Sequence, residues 1–96
     1  MLSKKEFVSL LSKKGYTMDD AEIVTKDFLK TIEEILLSGE SVRFLDFGTF
    51  EVRHRKPRQS KALNSDEWIT IPGFDLPCFA PSKALKRKVR GDEAGD

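Results

Sequence analysis

The sequence predicts an α+β fold: helices first, then an antiparallel sheet with a protruding hairpin, then one short helix. Three observations carry that reading. Apolar residues recur three or four apart up to about residue 38 and at every second position from Val42 onward. Gly39 stands where the period changes. Five cations, Arg53, Arg55, Lys56, Arg58 and Lys61, then fall within nine residues of a strand-like stretch. Such a run is hard to place inside a small core and easy to place on a hairpin lying along a polyanion.

Each element has its own signal. Ser3 and Glu6 fit a capping box ahead of a first helix whose face is Phe7, Leu10 and Leu11 and which ends at Gly15. Thr17 caps the second helix, with Asp19 and Asp20 where the helix dipole favours acids. Its apolar stripe is Ala21, Val24, Phe28, Ile32, Ile35 and Leu36, widened by Leu29 and Leu37 beyond what one short helix needs. Val42 and Phe44, alternating with Ser41, Arg43 and Leu45, mark a first strand. Asp46–Thr49 reads as a tight connection in which Gly48 permits the turn, and Thr49–Arg58 as a second strand with Phe50 and Val52 facing in. Pro57 places the end of that strand at an edge or outside the body. Asn64, Ser65 and Asp66 supply a turn. Trp68, Ile69 and Ile71 begin the return, which stops at Pro72 and Gly73, and Phe74–Phe79 forms a third strand of the body. Ser82 caps a final helix with Ala84, Leu85 and Val89 facing in. The expected divisions are 1–38 for a helical dimerisation base, 41–80 for the sheet with an arm at about 54–72, 82–90 for the last helix, and a frayed acidic tail at 91–96, all of 1–90 forming one domain.

At 96 residues and 39% hydrophobic composition, one chain buries only a modest core. An oligomer whose interface completes that core is the expectation. The formal net charge of +1 hides a segregation. Residues 1–52 hold seven Lys/Arg against ten Asp/Glu, residues 53–90 hold ten against three, and the last six residues add three acids. A basic region on a nearly neutral chain points to nucleic acid or another acidic surface. No segment is apolar enough to span a membrane and the start lacks a secretory run, so the expected location is cytoplasmic. Single Cys78 excludes an internal disulfide and any cysteine-cluster metal site, and reads as a partly buried structural thiol.

A helix-turn-helix reading of the first two helices fails on charge. The second helix offers Glu22, Asp27, Glu33 and Glu34 against Lys26 and Lys30, and would repel phosphate. No enzymatic constellation is visible, and neither cofactor nor metal is expected. His54 lies between Arg53 and Arg55, with no acid evident to orient its ring. Leu63 is an isolated apolar residue near the tip of a polar arm, and is read either as a surface leucine or as a wedge that unstacks a base step. Trp68 is read as bracing the returning strand, with stacking on a sugar or base as the alternative.

At Gly39-Glu40, Val42, Phe44, Phe47–Arg53 and Arg55 the chain resembles the bacterial histone-like DNA-bending family of HU and integration host factor. The Ile69-Thr70-Ile71-Pro72 return and the Pro77–Leu85 ending extend the likeness over roughly residues 2–89. The resemblance implies an intertwined dimer with a helical base, a three-stranded saddle strand set per subunit, and two arms in the minor groove of DNA. It places Arg53, Arg55, Arg58 and Lys61 at DNA-contacting arm positions and Lys83 and Lys86 on the phosphate-facing body, with Lys56 in the same basic run. The family's Arg-Asn-Pro arm tip is here Lys61-Ala62-Leu63, so Leu63 stands in place of the intercalating proline. A tip glycine of the family is replaced by Asp66, and the acidic tail falls outside the likeness. The expected function is architectural, non-enzymatic and of low sequence specificity, with duplex DNA and a second copy or close paralogue as partners, no membrane and no small-molecule substrate, in the nucleoid. The rival reading is a dimeric scaffold of the same fold with reduced or absent DNA binding.

Overall fold

Helix α1 (Lys4–Ser12) begins at the capping box that its sequence encodes. The Ser3 hydroxyl accepts from the Glu6 amide at 3.3 Å while the Glu6 carboxylate accepts from the Ser3 amide. The structure is a computed structural model that describes residues 1–91. Of the acidic tail expected at 91–96, all but Gly91 lies outside the described residues. Helix α2 (Met18–Leu37) starts at a simpler cap, its Asp20 amide donating to the Thr17 hydroxyl at 3.1 Å.

The described residues form two compact units, 1–35 and the remainder from Leu36. In the first unit only Val8, Ala21, Thr25 and Ile32 are buried, and Thr25 satisfies its hydroxyl on the Ala21 carbonyl at 2.8 Å. Phe7, Val24, Phe28 and Leu29 of the predicted apolar faces stay between 41 and 54% exposed, so the stripe is far wider than what the chain itself covers. Glu22, Asp27, Glu33 and Glu34 are exposed, as the charge argument against groove insertion requires.

The second unit is built on three antiparallel strands in the order β1 (Val42–Phe44), β2 (Gly48–Arg55), β5 (Phe74–Pro81). One face of this sheet is aromatic. Phe50 sits edge-on to Phe44 at 6.3 Å and tilted against Phe79 at 4.9 Å, and Phe79 also meets Phe47 at 5.4 Å. Two further strands, β3 (Arg58–Lys61) and β4 (Trp68–Ile71), form a separate two-stranded ladder. The chain closes with α3 (Lys83–Arg90), capped by the Ser82 hydroxyl, which accepts from the Leu85 amide at 3.1 Å.

Several local expectations change. The second strand begins at Gly48 and stops at Arg55, and the third continues to Pro81. Leu45 belongs to the turn after β1 and is exposed. That turn takes its positive φ at Asp46 (61°), so Gly48 is needed for a different reason. A Cβ there would lie 2.7 Å from both the Ala80 carbonyl oxygen and the Phe79 ring, so the glycine permits close strand approach under an aromatic. Val89 does not face in: it is 81% exposed, because α3 within this chain packs only through its first turn, where Ala84 and Leu85 are half-buried.

Candidate nucleic-acid interface

The interface begins with backbone register. Partner numbers in the β2–β5 ladder and in the β3–β4 ladder add to the same value, from Gly48↔Pro81 through Arg55↔Phe74 and Arg58↔Ile71 to Lys61↔Trp68. The two ladders are therefore one ribbon. Its single interruption sets Lys56 and Pro57 opposite Gly73 and Pro72. Two prolines facing each other remove both donors from one rung, which explains why the predicted strand Thr49–Arg58 is split. Gly73 completes the gap, since a Cβ there would fall 2.8 Å from the Arg55 carbonyl oxygen.

Period two then sorts the cations. Arg53, Arg55 and Lys61 share one parity, with Arg43 brought in by its pairing to Thr49. Lys56 and Arg58 carry the other. The sequence presents these residues as one run, yet the ribbon divides them between its faces. At the proline gap the division relaxes: Arg55, Lys56 and Arg58 line a common hollow of about 330 Å³ with Ile71 and Phe74.

Arg53 and His54 have acidic neighbours that the sequence reading missed. Arg53 donates from Nε to the Glu51 carboxylate at 2.5 Å, two residues away on the same face. That hydrogen bond, followed by the charge of Glu51, holds the Arg53 guanidinium above its ordinary pKa, and the group stays fully cationic. His54 does have an acid to orient it. Its Nδ1 lies 3.0 Å from Asp75 Oδ1, directly across the β2–β5 ladder. Period-two alternation alone could have flagged Arg43 and Glu51, whereas Asp75 becomes a neighbour only through register.

Beyond the gap, β3 and β4 are almost wholly exposed. The tip is closed by the Ala62 amide donating to the Glu67 carbonyl and the Ser65 amide donating to the Ala62 carbonyl. Its left-handed residue is Asn64 (φ 59°) rather than Asp66, and asparagine tolerates that conformation. The left-handed position of the turn thus falls two residues before the one where the family's glycine is replaced. Leu63 is 93% exposed in this turn. Lys61 holds its Nζ 5.6 Å from the Trp68 ring centroid, a cation–π contact worth about 0.5–1 kcal/mol at an exposed site.

Lys83 and Lys86 are exposed on successive turns of α3, whose last turn adds Arg87, Lys88 and Arg90. Lys83 also lines a hollow of about 410 Å³ with Arg43, Asp46, Thr49 and Pro81, below the capped start of the helix. Backbone amides at such a helix start favour anions. Cys78 is half-buried on β5, as expected of a structural thiol.

Fold and surface together define a class: small α+β proteins with a long, exposed, basic β-ribbon. The family described as bacterial DNA-binding protein matches residues 2–90, and the chain belongs to that family. It is 39% identical to the DNA-binding protein HU of Thermotoga maritima, over 93% of this chain and all of the relative. The DNA-binding protein HU of Clostridium pasteurianum is 36% identical, over 92% of this chain and 98% of the relative. Among solved structures, the Anabaena HU–DNA cocrystal superposes with a TM-score of 0.81 at 34% identity, covering 92% of this chain and 97% of that one. The α+β arrangement of helices and three-stranded antiparallel sheet matches that of the HU fold. By family the chain is a histone-like DNA-binding protein of the architectural, non-catalytic kind.

Proposed function

We propose that the chain acts as a dimer whose two β-hairpin arms enter the minor groove of duplex DNA and bend or compact it with low sequence specificity. The exposed, basic β3–β4 ladder carries this reading. It continues a sheet strand in register, so the cations sit on an ordered ribbon. From Glu51 to Ala62 the ribbon is two-stranded, about 40 Å of extended chain at roughly 3.3 Å per residue, comparable to one turn of DNA. Arg53, Arg55, Lys56, Arg58 and Lys61 would neutralise phosphates and release counterions, with Lys83 and Lys86 extending the contact on the body. The dimer, formed with a second copy or a paralogue, would cover the open apolar stripe of α2 and the half-exposed aromatic face of the sheet. No cofactor enters this activity, and its place is the bacterial nucleoid in the cytoplasm.

The test joins mass and salt dependence. Light scattering at micromolar chain concentration should give about twice 10.9 kDa. Arg55→Ala with Arg58→Ala should weaken binding to unrelated duplexes by similar factors and lower the salt slope by roughly one unit per lost phosphate contact. Circular dichroism should not change. Equal binding by the double variant would favour a dimeric scaffold over a DNA-bending protein.

A further inference from the structure

We propose that Trp68 is a DNA-contacting residue that selects duplexes with an opened base step, its ring stacking on the exposed base while Lys61 turns from the ring to a phosphate. This rests on the DNA-binding reading above. Trp68 is the only tryptophan of the chain and is 61% exposed. A bracing role would require apolar neighbours on its own face of the ribbon. Register puts Thr70 and Gln59 there instead, and Ile69 and Ile71 have the opposite parity. Among the described residues, the ring meets the Lys61 ammonium at 5.6 Å. The same parity carries Arg53 and Arg55, so the indole shares its side of the ribbon with the groups suited to the phosphate backbone.

An exposed aromatic among cations fits a nucleic acid better than an apolar protein surface, because each ring face of a base is a stacking partner for indole. In an intact duplex those faces are covered by neighbouring bases. A nick, gap or mismatch uncovers one and lowers the cost of opening the step. Leu63, 93% exposed five residues before Trp68 in the same tip, offers a second apolar group to the opened step.

The experiment uses the full chain and two fluorescein-labelled duplexes of about 35 base pairs, one intact and one with a two-nucleotide gap. Anisotropy of the label reports binding, and emission of Trp68 with iodide as quencher reports the ring. At saturation with the gapped duplex, emission should change and iodide access should fall several-fold, with a smaller change on the intact duplex. Trp68→Ala should cut the preference for the gapped duplex by roughly tenfold, within the range of one base–aromatic stack, and leave the salt slope unchanged. Trp68→Phe should restore most of the preference. Saturated binding with unaltered emission and iodide access, or an undiminished preference in Trp68→Ala, would overturn the assignment and leave DNA binding standing. Absence of any anisotropy change with either duplex would overturn both.

Discussion

Between Gly48 and Val52 the ribbon is a half-buried strand; from Arg53 to Lys61, in the same register, it is basic and almost wholly open to solvent. The pairing geometry is identical on both sides of the proline gap. The difference comes from what lies on the faces. The first ladder has β1 beside it and Phe44, Phe50 and Phe79 stacked on one side. The second has neither, and its side chains are Arg58, Gln59, Ser60 and Lys61 against Trp68–Ile71. One backbone device therefore meets two surroundings: packing where a third strand and aromatic rings meet it, and open solvent, the face we propose for DNA, where nothing of the unit covers it. The change falls between Val52 and Arg53; the facing prolines lie further out, where the rung they occupy cannot be hydrogen-bonded.

If that division holds, substitutions should separate cleanly into those that move stability and those that move DNA. The largest effect is expected at Gly48. Gly48→Ala forces a Cβ to within 2.7 Å of the Ala80 carbonyl and the Phe79 ring, and should cost about 3 kcal/mol of unfolding free energy in urea at fixed chain concentration. A loss under about 1 kcal/mol would show that the sheet yields there, and that the aromatic face is not what holds the first ladder.

A middle-sized effect belongs to the tip and should leave stability alone. Leu63→Ala should unfold within about 0.5 kcal/mol of the parent, because the side chain is almost fully exposed. Its effect should appear in DNA bending, read as a lower end-to-end energy transfer on a doubly labelled duplex, with the salt slope intact. Unstacking a step costs a few kcal/mol, so a lost wedge is visible in the bend. Unchanged transfer would reduce Leu63 to a surface leucine and leave bending to charge alone.

The smallest effect is expected at the His54–Asp75 pair. It lies in the first ladder, yet both side chains are more than 60% exposed. Solvent screening limits such a pair to about 0–1 kcal/mol. His54→Gln and Asp75→Asn should each shift the urea midpoint only slightly at pH 7. A shift as large as that of Gly48→Ala would mean the outward face of the ladder also stabilises it.

Much of this division was legible in the chain itself. The caps at Ser3, Thr17 and Ser82 are local chemistry, and each forms as its residue type dictates. The return at Trp68–Ile71 and the edge role of Pro57 also follow from residue type. The second strand was misjudged because the obstruction has two parts: Pro57 was visible, but its facing partner Pro72 is fifteen residues away and meets it only by register. Val89 was misjudged for the opposite reason. An apolar residue at helical spacing predicts a buried face, and nothing in the spacing tells which chain, if any, covers it.

The sequence by itself determined the order and type of the elements, the segregation of charge and the exposure of the tip, because caps, periodicity and clustered cations act over a few residues. Tertiary structure alone decided which residues became neighbours: Asp75 beside His54, Trp68 under Lys61, Arg43 alongside Lys83, and the Phe79 ring against Gly48. Except for the Lys61–Trp68 hairpin pair, these meetings join residues 21 or more positions apart. Their register is set by the whole antiparallel ribbon, in which a one-residue slip would send every side chain to the opposite face.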